Sequence, residues 1–320
     1  MPGAGLKPVS LADIEATADR IRGIPLRTPL LRLDGATSPD IHLKLENLQP
    51  VGSFKIRGAA NSVATLDAGR LADGIGTASA GNMGRAVAWL AHRHGIPCTV
   101  VVPDGAPAAK LEPMRALGAW IVEEPFERWW RALVDNGHPA VGGTFLSAFA
   151  SQPMIAGNAT IGLELVADLP ELEAVVVPYG GGGLSSGIAC AVRALRPDVP
   201  VYAAEVEGAA PFAAALAAGR PVDVELRRSF VDGIGSGRVV DAMWPLASEV
   251  LAGSIVVTLD EVRAALRLLA AGARVVAEGA GAVALAAALT GRAGSGRVAV
   301  VISGGNIDPP MLAEIVRPAP

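Results

Sequence analysis

From residue 75 onward the chain alternates short apolar runs with helix-length segments, and that alternation is the strongest constraint on its fold. Strands are expected at 75–79, 98–102, 120–122, 174–177, 201–205 and 298–302. Helices are expected at 82–94, 106–117, 125–136, 153–168, 184–195, 259–271 and 279–289. Strands joined by helices of this length form parallel sheets covered on both faces, because a parallel neighbour needs a long crossover. Before this series come a helix from Ser10 to about Arg22, with Asp13 as its capping partner, and an extended break at Thr28-Pro29-Leu30. A strand at 41–45 and a helix from Ser53 to about Leu66 follow. At 320 residues and 51% hydrophobic, the chain is long enough for two such α/β units, with no long linker between them.

Charge excludes several classes of partner. The formal net charge is −4 and the 27 Lys+Arg are scattered, so neither a nucleic acid nor a membrane surface is an expected partner. The two cysteines, Cys98 and Cys190, sit inside apolar runs without a CxxC spacing and read as buried thiols of a reducing compartment. No basic segment followed by an apolar core opens the chain, and the apolar run 279–290 is too short to span a bilayer. A soluble cytoplasmic protein is expected. The four histidines, His42, His92, His94 and His138, show no metal-ligand spacing, and no Gly-x-Ser-x-Gly elbow supports a hydrolase. His92 and His94 are expected to face solvent near a helix end.

Chemistry concentrates in four segments. Lys55 lies in Val51-Gly52-Ser53-Phe54-Lys55-Ile56, where a strand gives way to a helix. A partly desolvated lysine there loses basicity and becomes an amine nucleophile; a surface lysine on an amphipathic helix is the alternative. Ser79-Ala80-Gly81-Asn82 follows a strand and opens a helix, offering N–H groups to an anion, although a plain capping turn has the same composition. Gly180-Gly181-Gly182-Gly183-Leu184 also joins a strand to a helix. Four glycines suit a main chain wrapped around a phosphate, with a flexible loop as the alternative. Ser303-Gly304-Gly305-Asn306 places a hydroxyl at a strand end, where a heterocyclic nitrogen could meet it; a turn is the alternative. A buried amine, a phosphate cradle and a strand-end serine together suit pyridoxal 5'-phosphate.

The wording of these segments resembles the fold-type II pyridoxal-phosphate enzymes, and within them the threonine/serine dehydratase branch. The resemblance runs in order through KLENLQPVGSFKIRGAAN (44–61), SAGN (79–82), IAGNATIGLEL (155–165), VVPYGGGGLSSGIA (176–189), VDGIG (231–235), AEGAGAVAL (277–285) and SGGNID (303–308). It implies two open parallel-sheet αβα domains, like tryptophan synthase β, with the cofactor in the cleft between them. The small domain corresponds to 47–147, and the large domain to 1–46 with 148–320. Lys55 is then the Schiff-base lysine and the Cα base, with Phe54 beside the ring. Asn82 bonds the phenolic oxygen, Gly180, Gly181, Gly182, Gly183 and Leu184 bind the phosphate, and Ser303 meets the pyridine nitrogen. Ser79, Ala80, Gly81, Asn82 and Met83 hold the substrate carboxylate. The implied reaction is β-elimination on a β-hydroxy amino acid such as L-threonine or L-serine, giving a 2-oxo acid and ammonia, with acid help from the cofactor phosphate. A homodimer or homotetramer is implied.

The departures from the family pattern matter as much. Met83 stands where histidine is usual, which points either to a pocket for a bulkier β-substituent or to a core residue. Ser147-Ala148-Phe149-Ala150-Ser151-Gln152 replaces an acidic loop, and Asn158-Ala159 replaces Gln-Gly. Trp129-Trp130 reads as core or interface. Ala80 lacks the hydroxyl with which serine racemases protonate the second face of Cα, so racemisation is expected to be minor. Glu205 matches the family's divalent-metal site, but Pro211 replaces its aspartate, and no metal is expected. No regulatory extension follows within the sequence, so control by isoleucine is not expected. Larger substrates (phenylserine, hydroxyaspartate or a hydroxyectoine-derived compound), a racemase-like activity and a non-catalytic binding protein are the other readings.

Overall fold

The computed structural model describes residues 5–35, 39–148 and 151–317; Phe149 and Ala150 of the departing loop lie outside them. Among the described residues the ten strands are β1 (Leu30–Arg32), β2 (Asp40–Lys44), β3 (Ile75–Ala78), β4 (Cys98–Pro103), β5 (Trp120–Glu124), β6 (Thr144–Phe145), β7 (Ala174–Pro178), β8 (Val201–Val206), β9 (Gly253–Val257) and β10 (Arg297–Val301). They form two sheets. One has the order β1-β2-β10-β7-β8-β9 and the other β5-β4-β3-β6. Every pairing is parallel except β1 with β2. The break expected at Thr28-Pro29-Leu30 therefore runs on into an antiparallel edge strand.

The helices are α1 (Leu11–Arg20), α2 (Lys55–Ala64), α3 (Ala68–Ala72), α4 (Asn82–His94), α5 (Ala108–Ala116), α6 (Phe126–Val134), α7 (Gln152–Asp168), α8 (Gly183–Leu195), α9 (Pro211–Ala218), α10 (Trp244–Val250), α11 (Leu259–Arg267), α12 (Gly279–Leu289) and α13 (Pro309–Val316). Helices cover both faces of the six-stranded sheet. Val176, Val298 and Val300 turn into the core shared with α11 and α12. Val175, Val177, Ala299 and Val301 turn into the opposite core, shared with α7, α8 and α10. A continuous apolar run thus serves two cores, because side chains alternate along a strand. The four-stranded sheet is covered likewise. Ile75, Val100 and Val102 face α2 and α4, while Ala78 and Val101 face α6.

Small residues bring α7 against two neighbours. A Cβ on Gly157 would overlap the Arg57 carbonyl of α2. One on Gly187 would lie 2.6 Å from the Ile155 carbonyl, and one on Gly162 2.7 Å from Ala191 Cβ. The segment 155–165 thereby couples the helix that begins at Lys55 to the helix that begins at Gly183.

Several short elements escape a reading by periodicity, among them β1, β6, β9, α3, α9, α10 and α13. The helix expected over 259–271 is α-helical only to Arg267. A π-helical turn, Leu268–Ala273, follows and ends at Arg274, whose φ of 58° is left-handed.

Candidate active site

Lys55 is the first residue of α2, at the edge where the two sheets meet. Two backbone contacts fix the turn before it. Phe54 N–H donates to the Ser303 carbonyl at 3.0 Å, and Ser53 bridges Gly304 in antiparallel fashion. Gly52 supplies the left-handed φ of 72° that the turn needs, and a Cβ there would strike the Asn306 side chain. The Lys55 amine donates to the Ala148 carbonyl at 3.2 Å and lies 5.1 Å from the centre of the Phe54 ring. Burial lowers its pKa to about 8, and the Glu278 carboxylate pulls in the opposite direction. The alternative of a solvated surface lysine does not describe this amine.

The glycine loop stands at the C-terminal end of β7, beside β10, whose C-terminal end leads to Ser303. Open α/β sheets take ligands at this edge. Gly182 has φ 83°, and a Cβ on it would lie 2.7 Å from Met243 Cγ and 2.9 Å from the Tyr179 hydroxyl. The first-turn N–H groups of α8 have no intrahelical acceptor, so loop and helix together offer free donors that could hold an anion. Asn158 Nδ2 donates to the Gly183 carbonyl at 3.3 Å and holds the loop from α7.

Asn82 opens α4, and its amide is taken from both sides. Nδ2 donates to Glu278 Oε1 at 2.7 Å, and Oδ1 accepts from Asn306 Nδ2 at 2.7 Å. Ser79 Oγ accepts the Gly81 N–H at 3.2 Å and closes the turn. For Met83, of the two alternatives of a pocket residue and a core residue, the packing is that of the core. Its side chain is buried in the core with Ile75, Val100 and Leu111, so only its backbone belongs to the turn. Ala80 packs at the edge of the same core. His92 and His94 are exposed at the end of α4.

Glu278, Asn306 and Arg85, with no individual role legible in the sequence, form a hydrogen-bonded chain with Asn82. Burial raises the Glu278 pKa to about 7. The Asn82 hydrogen bond lowers it, Asp232 raises it and Lys110 lowers it. Arg85 donates to Asn306 Oδ1. Glu278 and Asn306 lie inside AEGAGAVAL and SGGNID, but nothing in those strings distinguishes them from capping residues. Beneath the site, Arg57 is buried between two carboxylates, 2.8 Å from Glu46 and 2.7 Å from Glu164, and Lys44 reaches Glu164 at 2.6 Å.

The arrangement fits pyridoxal phosphate. It offers a buried amine of lowered pKa, a glycine cradle that a side chain would fill, and a buried serine at the neighbouring strand end. Ser53 Oγ, Asn158 Oδ1 and Tyr179 Oη are buried and without a partner in the protein; each belongs to a residue next to the lysine or the loop. A divalent cation at Glu205 does not fit. That carboxylate already accepts the N–H groups of Phe212 and Ala213 at 2.8 Å each, at the start of α9, and the Ser254 hydroxyl at 2.5 Å. Among the described residues, no group of three or more His, Cys, Asp or Glu side chains is placed to hold a metal, and no helix is long and apolar enough to cross a membrane.

The L-threonine ammonia-lyase of Thermotoga maritima is 39% identical over 97% of this chain and 78% of its own. Among solved structures, maize serine racemase superposes with a TM-score of 0.87 at 30% identity, over 96% of this chain and 97% of its own. A threonine deaminase from T.th. gives 0.82 at 34% identity, over 94% and 99%. The family described as "Pyridoxal-phosphate dependent enzyme" matches residues 21–304, and the chain, with its buried lysine and glycine cradle inside that span, belongs to it.

Proposed function

We propose that this protein is an ammonia-lyase that eliminates water from L-threonine or L-serine, the released enamine then taking up a water to give a 2-oxo acid and ammonia. The observation that carries this reading is the Lys55 amine, its pKa lowered by burial, on a turn that Phe54 ties to Ser303 at the end of the strand next to the one that leads into the glycine loop. Relatives named for threonine ammonia-lyase activity support it.

Pyridoxal phosphate, when bound, supplies the electron sink for the pair left at Cα. The chain supplies the rest. Gly180 to Leu184 hold the phosphate with backbone N–H groups, and Ser303 presents a neutral hydroxyl to the ring nitrogen. A neutral hydroxyl there, unlike a carboxylate, would not hold a proton on that nitrogen and would leave the bound group a weaker electron sink, which suits elimination of the β-hydroxyl as water with a proton from the cofactor phosphate. The Ser79–Met83 turn binds the substrate carboxylate through its N–H groups. Lys55 removes the Cα proton, and its lowered pKa suits that task near neutral pH. Glu278 holds negative charge, or a proton, near the amine. We place the protein in the cytoplasm as a homodimer or homotetramer, with residues 47–147 as the small domain.

Racemisation is the second reading, since serine racemases are also among the relatives. Ala80 disfavours it, because no hydroxyl stands at that position of the turn to return a proton to the second face.

The test is an absorbance spectrum of wild type and Lys55→Ala with added pyridoxal phosphate, together with an oxo-acid assay over a panel of β-hydroxy amino acids. A visible band that needs Lys55, with oxo acid from threonine or serine, is expected. A colourless wild type would favour a non-catalytic binding protein. Turnover confined to phenylserine, hydroxyaspartate or a hydroxyectoine-derived compound would move the substrate class, and D-serine as the main product would establish the racemase.

A further inference from the structure

The side-chain hydrogen bonds around Asn82 run in one direction. Arg85 donates to Asn306 Oδ1. Asn306 Nδ2 donates to Asn82 Oδ1 at 2.7 Å and to the Val51 carbonyl at 2.9 Å. Asn82 Nδ2 donates to Glu278 Oε1 at 2.7 Å. The backbone N–H of Asn306 also bonds the Glu278 carboxylate.

A guanidinium has no acceptor atom, and an ionised carboxylate has no donor. The two amides between them therefore share one orientation. Arg85 takes the oxygen of Asn306, which leaves the Asn306 amino group for the oxygen of Asn82. That in turn leaves the Asn82 amino group for Glu278. If either amide turned over, donor would meet donor or acceptor would meet acceptor. The groups also alternate across the cleft. Arg85 and Asn82 are on α4, which packs on the four-stranded sheet. Glu278 immediately precedes α12, and Asn306 follows β10, so both belong to the six-stranded unit.

We propose that Arg85 and Glu278 are positioning residues that lock the Asn82 amide with its amino edge available to the cofactor's phenolic oxygen. Of the two hydrogens on Asn82 Nδ2, Glu278 uses one and the other is left for that oxygen. The inference rests on the pyridoxal-phosphate reading above and deepens it. A phenolic oxygen bearing negative charge is stabilised by an N–H donor and repelled by an amide oxygen, so the lock favours the charged form of the bound cofactor. Arg85 is the necessary end of the chain. With it, the direction persists even when Glu278 takes a proton.

The experiment compares holoenzymes at fixed pH by the ratio of the visible to the near-ultraviolet cofactor band, together with kcat and KM. The variants are Arg85→Met, Arg85→Lys, Asn306→Asp, Asn82→Ala and the pair Asn82→Ala/Arg85→Met. Arg85→Met is expected to move absorbance from the visible to the near-ultraviolet band. It lowers kcat on the order of tenfold, the scale of one hydrogen bond to a charged group, while KM changes little. Arg85→Lys, still a donor without an acceptor, restores most of the ratio. Asn306→Asp keeps the size of the side chain but presents only acceptors to Asn82, so it shifts the ratio in the same direction even if Arg85→Met folds poorly. The double variant matches Asn82→Ala alone, because both changes act through one amide. A visibly coloured wild type whose band ratio survives both Arg85→Met and Asn306→Asp overturns the lock and leaves the cofactor reading intact. A wild type that stays colourless with added pyridoxal phosphate overturns both.

Discussion

The carbonyl of Ser303 accepts the backbone N–H of Phe54 at 3.0 Å, so the residue before the lysine is tied to the strand-end serine of the opposite wall. The two are far apart in sequence, yet one hydrogen bond ties the turn that carries the lysine to the end of β10. The next residue, Gly304, leaves room for Glu278 beside Asn82. A Cβ there would overlap Glu278 Oε1 and stand 3.2 Å from Asn82 Nδ2. Gly304→Ala is expected to keep the fold and to weaken cofactor retention about tenfold or more, since displacing Glu278 breaks a charged hydrogen bond. Equilibrium titration of the apoprotein with pyridoxal phosphate measures this. Retention equal to wild type would mean that Glu278 is not held where the site needs it.

The glycine loop carries a sharper expectation at Gly182. Its left-handed φ and its contact with the Tyr179 hydroxyl each oppose a side chain. Gly182→Ala adds about 1–2 kcal/mol of backbone strain before any clash is counted. Gly181→Ala lacks the φ penalty and should be milder. Equal losses of cofactor affinity in the two variants would show that the cradle does not depend on the left-handed turn.

Lys55 gives a pH dependence with a defined sign. Burial lowers its pKa to about 8, so the neutral amine predominates above that pH and declines below it. Capture of pyridoxal phosphate by the apoprotein, followed by stopped-flow absorbance, should accelerate as pH rises through about 8 and then level off. An ordinary lysine would go on accelerating toward about 10.4. Glu278 opposes the shift, so Glu278→Gln should move the plateau to lower pH. A plateau that stays in place, or moves up, would remove Glu278 from the electrostatics of the amine.

Arg57 shows how the lysine helix is seated. It is buried between Glu46, ahead of the lysine turn, and Glu164 on α7. Burial pushes the Glu46 carboxyl up, but Arg57 outweighs it and leaves Glu46 below the ordinary carboxylate range. Arg57→Met strands Glu46 in the interior and should destabilise the protein by about 3–5 kcal/mol. Arg57→Met with Glu46→Gln should cost less than the single change, because no unpaired charge remains. Denaturant titrations of both variants separate a structural ion pair from a surface one.

The strand-end placement of the candidate site is legible in the chain because it follows from the pattern of apolar runs and glycines. Gly180 to Gly183 and Ser303 sit where a buried apolar run ends, and a strand end followed by glycine is visible without coordinates. The pairing of Asn82 with Glu278 is not legible, since 196 residues separate partners whose meaning lies in their contact. Asn82 alone reads as a helix cap and Glu278 as a residue before a helix. Arg85 carried no signal at all, because an arginine in the first turns of a helix is ordinary until its acceptor is known. Met83 was ambiguous for a related reason. Its place next to Asn82 points to the site, while helical periodicity points its side chain inward, and packing decides for the core. Short strands such as Gly253–Val257 were lost because five residues beginning with glycine carry too little pattern.

Glu205 leads to the last expectation. In the family pattern, a glutamate at this position shares a divalent cation with an aspartate six residues later. Pro211 occupies that second position here, at the start of α9. Proline in a first helical turn gives up no hydrogen bond, and the N–H groups that follow it, from Phe212 and Ala213, both donate to Glu205. The positive end of the helix and the Ser254 hydroxyl thus compensate the buried carboxylate, which burial alone would push toward its neutral form. Removal of divalent cations by a chelator should therefore leave oxo-acid production and thermal midpoint unchanged, and added magnesium or manganese should not raise either. Pro211→Asp places a second carboxylate beside the first, and the repulsion between them should lower the thermal midpoint in chelator and recover it with added cation. A chelator that inactivates the wild type would show instead that Glu205 gives up its helix contacts for a metal.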